Sequence, residues 1–121
     1  MNTFVRSFGS SVNNSSVSNH QDFVIARGQA AYTNGSVGQW GLQLANVLSQ
    51  TQQIPILLIN GAVGGTQVSQ HQRNEGNPED LNTIYGRLLW RVRQAKVEES
   101  IRGIFWHQGE SDTNMPFDSY L

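Results

Sequence analysis

Two short apolar runs, each ending in a cluster of glycine and polar residues, limit what this chain can fold into. The first covers residues 54–59 and continues into Asn-Gly-Ala-Val-Gly-Gly-Thr at residues 60–66. The second covers residues 101–106, ending in Trp106, and continues into His-Gln-Gly-Glu-Ser-Asp. Buried parallel strands have this composition, and in open α/β sheets the ligand crevice lies beyond the carboxyl ends of the strands. The two runs therefore predict two strands that share one functional edge.

Amphipathic segments next to these runs predict two helices. Asn34-Gly35-Ser36 offers a turn and an N-cap for a helix of about four turns. Its apolar positions are Val37, Trp40, Leu44, Ala45, Val47 and Leu48. Residues 77–80 supply a cap, a proline and acids for a second helix. Its apolar stripe is Leu81, Ile84, Tyr85, Leu88, Leu89, Val92 and Ala95.

The order of these elements predicts the fold class. A further short strand is predicted at residues 23–26, so strands and helices alternate along the chain. Such alternation indicates βαβ units with right-handed crossovers. We therefore predict a three-layer α/β/α fold with a parallel sheet. We expect residues 1–121 to be part of one domain, in which 1–21 form a polar loop or irregular lead-in and 22–121 form the α/β core portion.

Composition and charge exclude several classes of partner. The formal net charge is -1 and the eight basic residues are mostly scattered, which argues against nucleic acid. No segment approaches the roughly 18 apolar residues of a membrane span, so we expect no membrane partner. The chain has no cysteine, which excludes a disulfide framework and a thiolate nucleophile. The compartment is left open by these observations.

The glycine-rich loop at residues 60–66 does not match a phosphate-binding loop. It lacks the Lys-Ser/Thr pair of a Walker loop and the spacing of a dinucleotide fingerprint. A tight turn with backbone amides aimed at a developing negative charge fits an oxyanion hole. Glycines after a strand also serve as plain turn residues. Residue pattern alone leaves both interpretations open.

Taken together, residues 60–66 and 106–112 resemble the second and third blocks of SGNH-type carbohydrate esterases related to sialate O-acetylesterases and acetylxylan esterases. The resemblance extends to residues 37–41, 73–74 and 82–86. It covers residues 22–115 of the chain, and both blocks occur in the expected order with a helical segment between them.

This resemblance implies a flavodoxin-like α/β/α fold and removal of acetyl groups from sugars by a serine, assisted by histidine and aspartate, without a metal or other cofactor. It implies that the Gly65 amide and the Gln108 side chain form the oxyanion hole. Residues expected to support them are Asn60, Gly64, His107, Glu110 and Asp112. An acetylated carbohydrate is the implied substrate, and similar enzymes are commonly exported or periplasmic.

The family's serine block, of the type Gly-Gln-Ser-Asn, has no clear counterpart. Residues 28–31 come nearest but carry alanine in place of serine, and Ser10, Ser11, Ser15 and Ser16 fall in the predicted polar loop. None of the three histidines follows an aspartate by three residues, as an Asp-x-x-His block requires. We therefore expect an internal piece of an esterase domain that lacks the nucleophile and the base. Its possible partner is the remainder of its own domain, and alone it should not hydrolyse esters.

A carbohydrate-binding domain without chemistry is the main alternative. Aromatic faces and amide side chains suit sugars. The candidate residues are Trp40, Trp106, Tyr32, Asn60, Gln108 and Glu110. Trp40 lies on the apolar stripe of its predicted helix, however, and is expected in the core.

A metal site is a second alternative. His107 and Glu110 stand three residues apart, with His71 and Asp112 available elsewhere in the chain. The chain lacks the His-Glu-x-x-His pattern of a zinc-binding helix, so spacing gives this alternative little support.

Overall fold

A three-stranded mixed sheet lies at the centre of the chain. The structure, a computed structural model, describes residues 2–29 and 32–120. The strands are β1 (Val5–Phe8), β2 (Phe23–Ile25) and β3 (Ile56–Leu57), in the sheet order β2-β1-β3. β1 pairs in parallel with β3 but antiparallel with β2. The α/β class is therefore confirmed, whereas the sheet is mixed and not parallel throughout.

The central strand β1 lies in the segment that the sequence predicts to be a polar loop or lead-in. Val5, Ser7 and Phe8 are buried, and Arg6 is exposed. A strand of four residues containing serine and arginine gives neither an apolar run nor a clear alternation. The prediction of a polar loop or irregular lead-in at residues 1–21 is therefore wrong for residues 5–8. The neighbours that bury this segment, and not its composition, make it a strand.

Only the first of the two apolar runs reaches the sheet. Within residues 54–59, β3 is short, and the next N–H, of Leu58, donates to Arg6 O at 2.9 Å. Residues 101–106 join no ladder with the described residues, and Ile104 is 85% exposed. The prediction of a strand at 101–106 is thus wrong. Apolar composition indicates what a segment can bury, but not which neighbour satisfies its backbone hydrogen bonds.

The first helix, α1 (Gln39–Gln52), packs against the sheet through small side chains. Gly41, Ala45 and Ser49 are buried along one face, whereas Trp40 is 60% exposed. Residues four apart share a helix face, and small ones let the helix approach the strands closely. The helix is confirmed, but the expectation that Trp40 lies in the core is wrong. The core cluster comprises Val5, Ala26, Val37 and Ala45, flanked by Leu42, Ile56 and Leu58.

The second helix, α2 (Ile84–Gln94), begins later than the cap predicted at residues 77–80. Thr83 is the N-cap, and its hydroxyl accepts a hydrogen bond from Gly86 N–H at 2.9 Å. Asp80 instead closes the preceding turn, because its carboxylate accepts from the backbone N–H of Asn82 at 3.0 Å. Two capping residues compete here, and the threonine starts the helix.

The buried face of α2 differs from the predicted apolar stripe. Arg87 and Arg91 are 8% and 2% exposed, whereas Leu88 and Leu89 are only half-buried. The arginines are four residues apart and therefore share one face of the helix. Periodicity of apolar residues does not reveal a buried cationic face.

Short elements complete the described fold. A third helix, α3, covers Phe117–Tyr120. Single 3-10 turns occupy Ser15–Asn19, Val68–His71, Glu98–Ser100 and Glu110–Asp112. In the two described ranges, no helix has the length and apolar character needed to cross a membrane.

Candidate functional site

The loop after β3 and the loop after residues 101–106 meet at one place. The Gln108 side-chain amide donates to Thr66 O at 3.0 Å and also to the Asp112 carboxylate. The Val68 N–H donates to the same carboxylate oxygen of Asp112 at 2.9 Å. Asp112 is 7% exposed. The structure therefore brings the two loops together as predicted, even though residues 101–106 do not form a strand.

Gly65 presents a backbone amide beside this junction. Its φ of +72° lies in the left-handed region that glycine adopts readily, and an added Cβ would meet no heavy atom within 4 Å. The preceding Gly64 N–H donates to the Tyr32 hydroxyl at 3.1 Å. The Gly65 N–H has no acceptor among residues 2–29 and 32–120. An unused amide at an exposed turn is what an oxyanion donor requires.

Gln108 is held in one orientation by its neighbours. Both hydrogens of its amide nitrogen are engaged, one by Thr66 O and one by Asp112. Exchanging the nitrogen and oxygen would point Oε1 at two acceptors, so the network fixes the amide as described. Oε1 is buried and has no partner in the described part of the chain. Asp112 thus supports Gln108 by direct contact.

His107 and Glu110 do not take part in this support. Their side chains pair with each other at 2.7 Å and are 77% and 75% exposed. A hydrogen bond from its own backbone N–H, and next the one to His107, lower the pKa of Glu110. Of the three acidic and histidine residues expected to buttress the site, only Asp112 contacts Gln108.

Asn60 shapes the start of the glycine-rich loop. Its side-chain oxygen accepts from the Ala62 N–H at 3.0 Å, which closes a tight turn directly after the strand. Its backbone oxygen accepts from Arg91 Nη1 at 2.6 Å. Asn60 therefore contributes to the conformation of the loop through its side chain and its backbone.

Two serines that sequence reasoning placed in a solvated loop lie at the end of the central strand. Gly9 turns the chain with φ +66°, and Ser10 and Ser11 follow with 1% and 9% exposure. Both serines line a cavity of about 10 Å³ together with residues 60–63. That volume is about the space of one water molecule. Recognising β1 would have revealed this position, because the turn follows the strand directly.

His71 joins the network from the end of a short 3-10 turn. The Thr66 hydroxyl donates to Val63 O at 2.7 Å, so His71 Nε2 must be the donor in its 2.8 Å contact with that hydroxyl. The imidazole also lies edge-on to Trp106, with ring centroids 5.1 Å apart. Burial lowers the pKa of His71, against an opposing effect of Asp112. At neutral pH the ring is therefore neutral and carries its proton on Nε2.

Acidification should weaken the fold through His71. Its pKa in the folded state lies below the ordinary 6.5, so the folded state binds fewer protons than the unfolded state. Its contribution to the free energy of unfolding is complete above the unfolded-state pKa of 6.5. The contribution declines as the pH falls from there through the lower pKa of the folded state. We expect a lower urea midpoint at about pH 5 than at about pH 7.5, and a smaller difference for His71→Gln. An unchanged difference in the variant would contradict this.

Metal-binding side chains do not gather at this site. In the described ranges, no group of three or more histidine, aspartate or glutamate side chains is placed to hold a metal ion. His107 pairs with Glu110, and His71 bonds to Thr66.

Comparison with protein families identifies the class. Residues 13–120, most of the chain, match a family of carbohydrate esterases. The family is the one described as SASA, carbohydrate esterase, sialic acid-specific acetylesterase, and the chain belongs to it. No curated protein and no solved structure matched the chain. The assignment to carbohydrate esterases made from the two sequence blocks is therefore confirmed.

Proposed function

We propose that this chain carries an acyl-transfer site that removes O-acetyl groups from a carbohydrate. The observation that carries the proposal is the 3.0 Å hydrogen bond from Gln108 Nε2 to the carbonyl of Thr66, the residue after Gly65. It places an amide side chain beside a glycine turn. A tetrahedral acyl intermediate needs donors already fixed around its oxygen, and Gly65 N–H and Gln108 Nε2–H supply two of them.

One hydrogen bond of the Gln108 amide can be replaced by a hydrogen bond to the oxyanion, while the other keeps the side chain oriented. One amide hydrogen points to the buried carboxylate of Asp112, which sets the orientation of the side chain. The other points to the neutral carbonyl of Thr66. A negatively charged oxygen is a stronger acceptor than a carbonyl, so the second hydrogen transfers its bond to the oxyanion as charge develops.

We assign the nucleophile to Ser11. Gly9-Ser10-Ser11 lies directly after β1 and just before the matched residues 13–120. Ser11 lines one cavity with residues 60–63, which begin the glycine-rich loop. Ser10 is 1% exposed and accepts from Val12 N–H at 3.1 Å, so Ser11 is the more accessible hydroxyl. Its Oγ forms a bond to the acetyl carbonyl carbon, the bond from that carbon to the sugar oxygen breaks, and the serine proton passes to the sugar oxygen. Water then hydrolyses the acetyl-serine, which releases acetic acid and restores the serine hydroxyl. This proposal replaces two expectations from the sequence, that the chain lacks a nucleophile and that alone it should not hydrolyse esters.

The sugar has a polar surface to occupy next to this junction. An open pocket of about 270 Å³ adjoins Asp112. Its other lining residues are Gln67, Ser111, Asn114 and Met115. Amide and hydroxyl side chains pair with sugar hydroxyls, and a pocket of this size is near the lower end of the range for small-molecule sites.

The finer fold assignment is also a proposal. The strands β1 and β3 pair in parallel, and α1 lies between them in the chain and contacts both. Such a strand-helix-strand unit supports our proposal of a three-layer α/β/α fold of the flavodoxin-like SGNH type.

The test is hydrolysis of acetyl esters by the purified protein, with 4-nitrophenyl acetate, O-acetylated sialic acid and acetylxylan as substrates. We expect Gln108→Ala to lower kcat about 100- to 1,000-fold, as loss of one oxyanion donor does in comparable sites. Ser11→Ala should abolish turnover, and a fluorophosphonate probe should label the peptide containing Ser11. Gln72→Ala is the matched control, because Gln72 is an exposed glutamine close to the same loop.

Two outcomes would contradict the proposal. One is a wild-type protein that neither hydrolyses any of the three substrates nor reacts with the probe. The other is loss of turnover in Gln72→Ala equal to that in Gln108→Ala. Labelling of a serine other than Ser11 would be consistent with the proposed reaction but would overturn the assignment of Ser11 as the nucleophile.

A carbohydrate-binding domain without catalysis is the second candidate, and the exposure of two tryptophans favours it. Trp40 is 60% and Trp106 is 57% exposed. Exposed aromatic faces stack on sugar rings. Binding on a glycan array that survives Gly65→Val, together with no hydrolysis, would favour this candidate over the esterase.

A further inference from the structure

The side chain of Arg91 donates hydrogen bonds to backbone carbonyls at the ends of two neighbouring strands. It is 2% exposed, and its Nε and Nη2 donate to Phe8 O at 2.9 and 2.6 Å. Its Nη1 donates to Asn60 O at 2.6 Å. Phe8 ends β1, and Asn60 begins the loop after β3. No carboxylate in the described ranges forms an ion pair with Arg91, so backbone carbonyls are its acceptors.

This contact replaces a strand-to-strand hydrogen bond. In the parallel pair, Leu58 N–H donates to Arg6 O at 2.9 Å. The next bond in register would run from the N–H of Asn60 to Phe8 O, because parallel ladders repeat every two residues. Phe8 O accepts from Arg91 instead. The guanidinium group therefore stands between the strands where their pairing ends.

The turn after β1 and the glycine-rich loop after β3 line one cavity of about 10 Å³. Its lining includes Ser10, Ser11, residues 60–63 and Arg91. Burial lowers the pKa of Arg91 to about 10, so the group is still charged at neutral pH. A planar, charged fork can hold two carbonyls at a fixed separation, which a flexible ammonium group does less well.

We propose that Arg91 is the positioning residue of the acyl-transfer site: its guanidinium holds the serine turn after β1 and the glycine-rich loop after β3 at a fixed separation. The proposal rests on the proposed function for its catalytic consequence, but not for its geometry. Arg91 acts through Phe8 O and Asn60 O and does not touch the reacting atoms.

The geometric part is tested by amide hydrogen exchange in Arg91→Met. We expect exchange to rise about tenfold or more in both residues 9–12 and residues 60–63, because both loops lose the same anchor. Arg93→Met is the control on the same helix, since Arg93 is exposed and pairs with Glu79 and Glu98. Faster exchange in only one loop, or an equal rise in the control, would overturn the proposal.

The catalytic part is tested with 4-nitrophenyl acetate. We expect Arg91→Met to lower kcat about 100-fold with KM within about twofold, because positioning of the reacting groups is lost while substrate contacts remain. Arg91→Lys keeps the charge but not the fork and should lie between wild type and Arg91→Met. A folded Arg91→Met protein with wild-type kcat would overturn the proposal.

Chemical rescue separates positioning from general stabilisation. Arg91→Ala should regain part of its turnover and its slow exchange in millimolar ethylguanidinium, and not in ethylammonium, because only the former restores the planar donors. If Arg91→Met, Arg91→Lys and rescued Arg91→Ala all fail to fold, Arg91 is a residue of the fold and the proposal is wrong. If the wild-type protein lacks esterase activity but Arg91→Met shows the expected rise in exchange, the proposed esterase function is wrong. The proposal that Arg91 holds the two loops at a fixed separation then stands.

Discussion

Gly9→Ala should lower the free energy of unfolding by about 3 kcal/mol or more, which is at the upper end for single substitutions. The loss is expected even though the substitution removes no side-chain contact. Gly9 has φ +66°, and a Cβ added there would lie 2.5 Å from the backbone oxygen of His20. The neighbouring atom belongs to the backbone and cannot move aside as the end of a flexible side chain can. Strain in φ and a backbone clash therefore add together.

Gly65→Ala is the matched comparison for Gly9→Ala. Its φ is +72°, but a Cβ added there would meet no heavy atom within 4 Å. Left-handed φ alone costs an alanine about 1 to 2 kcal/mol. Urea denaturation of the two variants therefore separates the clash from the strain. Equal losses of stability would show that the His20 carbonyl moves freely and that the turn after β1 is not rigid.

The turn at Gly9 also shows where sequence reasoning reached its limit. The small polar composition of the residues after it predicts a solvated loop. Ser10 and Ser11 are buried because β1 delivers them to the sheet edge, and β1 itself has only two apolar residues, Val5 and Phe8. A short central strand is buried by its neighbours in space, which a linear pattern does not contain.

The meeting of the two loops, in contrast, was predictable. Each glycine-rich or polar cluster follows an apolar run, and strand ends of an α/β sheet converge. The contact of Gln108 with Thr66 confirms the convergence. It arises through side-chain hydrogen bonds to Asp112, however, since residues 101–106 join no ladder in the described chain. The prediction that the two loops lie close together is therefore confirmed, whereas the prediction that two paired parallel strands bring them together is wrong.

The role of Arg91 had no signal in the sequence. Basic residues on an amphipathic helix are ordinarily solvated. Burial of Arg91 at 2% exposure follows from two backbone carbonyls left free where β1 and β3 separate. Unsatisfied backbone acceptors are a property of the folded chain, and side chains that satisfy them are found only from the structure.

Asp112→Ala should lower both stability and turnover. Asp112 is 7% exposed, and one of its carboxylate oxygens accepts from Val68 N–H and from the Gln108 amide. Removing that acceptor leaves two donors without a partner, which costs about 2 to 4 kcal/mol of unfolding free energy. Gln108 also loses the contact that orients it, so we expect kcat to fall about 100-fold. Urea denaturation and hydrolysis of 4-nitrophenyl acetate measure the two effects.

Two further variants decide whether Asp112 acts through Gln108. Asp112→Asn can place its oxygen where the carboxylate oxygen lies and keep both hydrogen bonds without charge, so both losses should be smaller than for alanine. Glu110→Ala removes a carboxylate of the same turn that is exposed and pairs with the exposed side chain of His107, so it should change neither the urea midpoint nor kcat. If Asp112→Ala lowers stability and leaves kcat unchanged, the carboxylate holds the loops together without orienting the oxyanion donor. If Glu110→Ala instead matches the loss of turnover, the exposed pair with His107 supports the site in a way that its contacts do not reveal, and the assignment of support to Asp112 alone is wrong.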